Sequence, residues 1–473
     1  MNCIDSLRHP GSGRFLRHFL LMVCLVLLAS RTQAQVTNQT DVKTWRIWEG
    51  VFRTSRTYSN PSYDVKLKVT FTPPAGSGLS PIVSYGFWDG LESGQNVFRV
   101  RTAFPPAVSI PSPWIWTWTS SCTGGCESDS VLNQSTATNI SVTPSTGLHA
   151  LFSHGFLKVN AAGVNTKRYL VHDDGTPFFW LGDTAWNASV RAKSAIWVPP
   201  GTPTPPPEAW EQYIADRKAK GFTVVQLALP VDYMDPPDGD QPRDAQGSSQ
   251  KPFTPDTCTM PSPSCQWNPA YWKNFEQKVR YANSQGLAVL VVGLAERIVE
   301  SNPAYPTIPN LQVHARNVVA RLGGHFVIYS PGFDRCPDES TGSNACQIVT
   351  PLSSCTTGTN EMTCRIKFVG QEIKATSSRH LVVNHFAGRM DVSQMDPFQN
   401  ESWLDFQLFQ SGPGCHANSE SDQTTQITGR ARTMPLHLWA LSPNKPVVNG
   451  EAIYDGGKCK GKTWTSNFTA YRA

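Results

Sequence analysis

The chain contains no Gly-x-Ser-x-Gly elbow and no His-Glu-x-x-His pair. The turn after its first candidate parallel strand, Leu181-Gly182-Asp183-Thr184, carries no glycine-rich phosphate fingerprint. These absences weigh against a serine hydrolase of the α/β type, a zinc hydrolase and a dinucleotide-binding fold. Charge is sparse as well: Asp, Glu, Lys and Arg make up 16% of the 473 residues, with a net charge of +5. Arg8, Arg14, Arg17 and Arg31 against Asp5 place three of those five charges in the first 34 residues. The remainder, at about +2, gives no electrostatic case for a nucleic-acid partner.

Long apolar runs are confined to the start. The basic residues Arg8, Arg14 and Arg17 precede the run Phe19 to Ala29, and Thr32-Gln33-Ala34 offers small residues for cleavage before Gln35. That order is a secretory signal peptide over 1–34, with an uncut membrane anchor as the alternative. No later stretch is apolar enough to span a bilayer, so the mature chain is expected to be soluble, without a membrane partner, and extracellular or periplasmic. Ten of the 12 cysteines remain after position 34, most in local couples: Cys122/Cys126, Cys258/Cys265, Cys336/Cys346 and Cys355/Cys364. Cys415 and Cys459 are left to pair by default. In an exported chain such couples point to disulfides. Only Cys122-x-x-x-Cys126 has a zinc-like spacing, and no His pair follows it, so no metal and no cofactor are expected.

Two domains follow. From 40 to 147 the pattern is β: Val65, Leu67, Val69 and Phe71 alternate with Lys66, Lys68 and Thr70, and further short strands lie between Pro/Gly/Ser turns. An all-β sandwich is expected there. Trp114, Trp116 and Trp118 share one side of a strand and suit either its core or a sugar-stacking platform; core is the reading taken. After a linker at 148–168, residues 169–473 alternate strand and helix. Near-continuous apolar strands are read at 177–182, 222–227, 287–292, 326–329, 380–385, 403–408 and 446–449, with helices at 208–220, 270–284, 313–322 and 366–376. Parallel strands covered by helices on this scale fit a (β/α)8 TIM-type barrel. Only seven strands are found before Ala473, so the barrel is expected to lack its last strand.

Active sites on such barrels lie at the C-terminal ends of the strands. Those positions hold Asp183, Asp232, Glu296, Asp334, Asn384 with His385, Gln410 with Ser411, and Glu451. Glycoside hydrolysis needs two carboxyl groups, one protonated for the leaving group and one ionised to attack or to activate water. Asp334 and Glu451, after strands four and seven, would face each other across the mouth. A lone carboxylate after a strand also serves as a helix cap or salt-bridge partner, and for Asp183 the cap and the sugar ligand stay open. His385 could tune Glu451 or bind substrate; His380 has the opposite parity on its strand.

Several local words resemble the apiosidase-like barrel family, glycoside hydrolase family 140 and its relatives. They are Phe179-Trp180-Leu181-Gly182-Asp183-Thr184-Ala185-Trp186, the segment Tyr213 to Phe222, Trp403 to Gly412, and Lys445-Pro446-Val447-Val448-Asn449-Gly450-Glu451-Ala452-Ile453-Tyr454. The aromatic-rich front domain is similar to the β-sandwich that often precedes this barrel. The resemblance implies a retaining glycosidase with Glu451 as nucleophile and Asp334 as general acid/base. It also implies a polysaccharide or oligosaccharide substrate; Asp183, Trp186, Asn384, His385, Gln410 and Tyr454 at and near the rim are the expected substrate-binding residues. This chain has Gly332-Phe333-Asp334 where the family commonly has Gly-Gly-Asp, and Pro413 where a histidine usually follows Gln-Ser-Gly. The competing expectation is a glycan-binding protein on the same barrel without catalysis.

Overall fold

A computed structural model describes residues 35–146, 149–163, 166–192, 194, 209–229, 251–255, 257–258, 262–295, 306–335, 351–359, 361–388, 392–412, 420–452, 458–459 and 462–463. The front domain is one hydrogen-bonded sheet of β1 (Gln35–Asn38), β2 (Asp41–Lys43), β3 (Ile47–Thr54), β4 (Lys66–Thr72), β5 (Ile82–Glu92), β6 (Gln95–Ala103), β7 (Trp114–Thr123) and β8 (Thr138–Thr143). The spatial order is β1-β3-β6-β5-β4-β7-β8-β2. Strand β5 pairs with β4 through Ile82–Tyr85 and with β6 through Gly86–Glu92, so it passes from one half of the sheet to the other. The alternation in β4 buries Leu67, Val69 and Phe71. Trp48 and Phe52 of β3 meet Phe71 and Trp118 of strands that are not their sheet neighbours, so the sheet folds over a single core. Trp114, Trp116 and Trp118 are 6%, 0% and 2% exposed, which makes them that core and not a sugar platform.

The stretch expected as a linker is built into the fold. Helix α2 (Ala150–His154) follows a short α1 (Pro61–Asp64), and the hairpin of β9 (Leu157–Val159) and β10 (Leu170–His172) comes next. Leu151, Phe152, Phe156 and Leu157 pack against Phe326 and Leu381 at the N-terminal ends of the parallel strands.

Seven parallel segments follow. Strands β11 (Gly182–Thr184), β12 (Val224–Ala228), β15 (Ala288–Val292) and β16 (Val327–Ser330) form one sheet. Strands β17 (Phe333–Arg335), β18 (His385–Phe386), β19 (Gln407–Gln410) and β20 (Val447–Glu451) form another. A parallel bridge between Tyr329 and Val382 joins the two sheets, and β16 with β17 makes up the fourth segment. Between β12 and β15 lies the hairpin of β13 (Phe253–Thr254) and β14 (Gln266–Trp267). Inward positions Val224, Ala228, Ala288, Leu290, Val292, Ile328, Val383 and Leu408 make one cluster; outward Val225, Leu227, Val289, Val291, Val327 and Val382 join the helices in another. Those helices include α4 (Ala209–Ala219), α5 (Pro269–Ser284), α6 (Ile308–Arg321) and α7 (Met362–Thr376); α3 (Ala188–Arg191) and α8 (Glu420–Ala440) complete the set among the described residues.

Among the described residues β20 and β11 share no ladder hydrogen bond, and the seven parallel segments form a curled, open sheet. One expectation shifts. The first strand begins at Gly182, not 177. Phe178 bonds back to Leu170 and Leu181 is held by the Thr223 hydroxyl, which delays ladder pairing with β12.

Candidate active site

The C-terminal ends of β17 to β20 bring Asp334, Asn384, His385, Gln410, Ser411 and Glu451 to one edge, and β12 adds Gln226. Glu451 is 5% exposed. Its carboxylate Oε2 lies 3.3 Å from His385 Nε2, and the ring is not aligned for a hydrogen bond. His385 is fully buried, with the Trp186 ring edge-on at 5.0 Å and Phe333 edge-on at 5.7 Å; Trp186 and Phe333 touch each other at 4.8 Å. The His385 amide donates to Ser330 Oγ, which donates in turn to the Gly332 carbonyl. The imidazole is thus fixed by apolar walls and its backbone by Ser330.

Two β-bulges shape this edge. On the fourth segment Phe333 faces His385 while Arg335 faces Phe386, leaving Asp334 as the extra residue. Asp334 takes φ 49°, a left-handed conformation rare for a residue with a Cβ, and its side chain is exposed. Asn384 Oδ1 accepts from the Gly332 amide at 2.8 Å and so holds the approach to this bulge. A Cβ on Gly332 would come within 2.8 Å of that same oxygen. On β20, Asn449 faces Phe409 and Glu451 faces Gln410, which leaves Gly450 as the extra residue. The Glu451 carbonyl accepts from the amides of Ser411 (3.0 Å) and Gly412 (3.3 Å).

The remaining expected residues separate. Asp183 sits on the outward face of β11, where its carboxylate accepts from Tyr213 Oη at 2.8 Å and Arg217 at 2.9 Å. Burial, together with that carboxylate, pushes the Tyr213 phenol well above its usual range. Gln410 is buried, its Oε1 without a partner among the described residues. Tyr454, Asp232 and Glu296 lie outside the described residues. His380 lies at the far end of its strand, bonded to Ser377 Oγ and the His325 carbonyl. The couples Cys122–Cys126, Cys258–Cys265 and Cys355–Cys364 are disulfides, which removes the zinc alternative; Cys336/Cys346 and Cys415 lie outside the described residues, as does the side chain of Cys459.

Gln226 was not anticipated. It is 1% exposed, and its Nε2 donates to the Gly450 carbonyl at 2.6 Å, reaching from β12 to β20. Its signal is legible in retrospect: a lone polar residue of inward parity within Val224-Val225-Gln226-Leu227.

The curled parallel sheet thus carries a buried carboxylate, Glu451, at its C-terminal rim, where barrel-type folds place their active sites. Residues 164–472 match the family model described as the apiosidase-like catalytic domain, and the chain belongs to that family. Residues 41–123 match a domain of unknown function, DUF5060. No curated protein matches the chain. Among solved structures it is similar to one titled glycoside hydrolase, at 21% identity and TM-score 0.46 over 67% of this chain and 60% of that one. A glycoside hydrolase family 5 protein from Bacteroides vulgatus is similar at 20% identity and TM-score 0.46, over 68% of this chain and 59% of that one. A family 5 mannosidase from Rhizomucor miehei gives 12% identity and TM-score 0.39 over 63% of this chain and 72% of that one. The chain thus spans about three fifths of the length of the first two.

Proposed function

We propose that this protein is an exported retaining glycosidase acting on a polysaccharide or oligosaccharide, with Glu451 as nucleophile and Asp334 as general acid/base. The observation that carries the reading is Glu451, a carboxylate buried at the strand-seven rim, with its carbonyl clamped and His385 at its side. In the first step protonated Asp334 gives its proton to the glycosidic oxygen while Glu451 attacks the anomeric carbon. The C–O bond to the aglycone breaks, and a glycosyl ester on Glu451 forms. In the second step Asp334, now ionised, takes a proton from the water that attacks the same carbon, and Glu451 leaves as a carboxylate. Two inversions return the original anomer.

His385 would help to position Glu451. Trp186, Asn384, Gln410 and Tyr454 would contact the sugar, whereas Asp183, committed to Tyr213 and Arg217, is left out of the site. The bulge at Asp334 supports its role: a strained, exposed acid at an extra strand position is turned away from the regular pleat. Three disulfides fit an oxidising compartment and hence export. A TIM-type barrel and a sandwich-type front module belong to this same reading.

The test is a screen on branched plant and microbial polysaccharides and on 4-nitrophenyl glycosides. Glu451→Gln is expected to lower kcat by about 10⁴-fold or more, and Asp334→Asn by about 10²–10⁴-fold, least for good leaving groups. Wild-type activity in Glu451→Gln would remove the mechanism. A protein that binds glycans but cleaves none of them would favour the binding-only alternative.

A further inference from the structure

We infer that Gln226 is a positioning residue for the nucleophile, acting through the strand-seven bulge; the inference rests on the reading of Glu451 given above. Between β19 and β20 the Gln407 amide donates to the Pro446 carbonyl. A regular parallel ladder advances by two residues on each strand, which would bring the Ser411 amide to the Gly450 carbonyl. Instead Ser411 donates to the carbonyl of Glu451, one residue further on. The bulge has therefore moved the ladder past Gly450 and released its carbonyl into the interior of the sheet.

A buried carbonyl without a donor is costly, on the order of 1–3 kcal/mol. Gln226 supplies the missing donor. Its strand neighbours Val224 and Ala228 lie in the inward cluster, so the side chain between them also points inward. A carbonyl can only accept, so the amide nitrogen of Gln226 faces it, at 2.6 Å. The peptide that carries Glu451 is thus held on both sides, by Gln226 at the Gly450 carbonyl and by Ser411 and Gly412 at the Glu451 carbonyl. Gly450 permits the bulge, because a Cβ there would lie 2.2 Å from Leu408 Cδ2 and 2.4 Å from its Cγ. Leucine in place of Gln226 fills a similar volume but cannot donate. Glutamate can donate only while it is protonated.

The experiment compares wild type, Gln226→Leu, Gln226→Glu and Glu451→Gln on the 4-nitrophenyl glycoside that wild type cleaves fastest. Crystal structures of wild type and Gln226→Leu accompany the kinetics. For Gln226→Leu the expected result is a kcat lower by about 10–100-fold at a KM within about twofold of wild type, because a misplaced nucleophile costs turnover and not affinity. Its crystal structure should show the Gly450–Glu451 peptide displaced from His385. Gln226→Glu should keep most of its turnover at acidic pH and lose it as the pH rises, a profile that simple volume filling would not give. Wild-type kcat in Gln226→Leu with an unmoved Glu451, while Glu451→Gln is inactive, overturns this inference alone. Activity in Glu451→Gln overturns the catalytic reading itself. If Gln226→Leu does not fold, the pH profile of Gln226→Glu decides, and a profile parallel to wild type overturns the inference.

Discussion

At the scale of single residues, the buried histidines tie the fold to pH. His314 on α6 lies among Phe253, Trp267 and Trp272 at ring distances of 6.0, 5.1 and 5.6 Å, and neither ring nitrogen has a hydrogen-bond partner among the described residues. Burial pushes its pKa down to about 3, and burial does the same to His325 at about 3 and His380 at about 4. In the unfolded chain these rings take up protons near pH 6.5, whereas the folded protein refuses them until pH 3–4. Stability is therefore complete above 6.5 and is lost as the pH falls through that window, at about 1.4 kcal/mol per pH unit for each ring. Denaturant unfolding at pH 7 and pH 4.5 should show that loss, and His314→Leu should reduce it while leaving stability at pH 7 unchanged or higher. Equal stability of wild type at the two pH values would contradict the assignment. The sequence displays these histidines but not their burial, because His314 is enclosed by a hairpin more than 40 residues upstream.

At the scale of elements, helices and apolar strands were legible because burial on one or both faces leaves a period in the sequence. The helices expected at 270–284 and 366–376 are found at Pro269–Ser284 and Met362–Thr376. What was hidden is where the ladder breaks. A bulge is a property of two strands together, so the extra Asp334 leaves no mark in its own segment. The glycine alone left a trace. Gly450→Ala forces a methyl group into Leu408, and overpacking of this kind costs about 1–3 kcal/mol. The expected outcome is a lowered Tm together with a fall in kcat larger than the unfolded fraction explains. An unchanged Tm and kcat would show that β20 tolerates a regular register.

At the scale of the whole molecule, the front sheet is fastened to the helical layer by charge. A bulge in β5 lies between Trp88 and Leu91, and Asp89 within it pairs with Arg321 of α6 at 3.0 Å and Lys273 of α5 at 3.1 Å. Arg101 of β6 and Arg321 both reach Glu276, at 2.8 and 3.2 Å, and both guanidinium groups lie over the Phe87 ring. Burial alone would raise the Glu276 carboxyl, but Arg101 and Arg321 hold it well below the usual carboxylate range. Asn60 adds a second fastening, its amide donating to the carbonyls of Ser262, Pro263 and Cys265 in a disulfide-closed loop. Removing one ion from such a cluster strands the others and costs about 3–5 kcal/mol, far more than an exposed pair. Arg321→Met is therefore expected to lower stability by that amount in a single unfolding transition shared by both domains. Two separate transitions, or no loss, would mean that the domains are independent. None of this network was legible from composition, since its members are scattered from residue 87 to residue 321 and only the packed fold makes them neighbours.

Glu451 is the carboxylate proposed to attack the anomeric carbon. The most direct measurement traps the intermediate with a 2-deoxy-2-fluoro glycosyl fluoride of the sugar the enzyme releases, followed by proteolysis and mass spectrometry of the peptides. A single glycosyl adduct on Glu451, slow to turn over and absent in Glu451→Gln, is the result the account expects. An adduct on another carboxylate, or cleavage with inversion and no adduct, would contradict it.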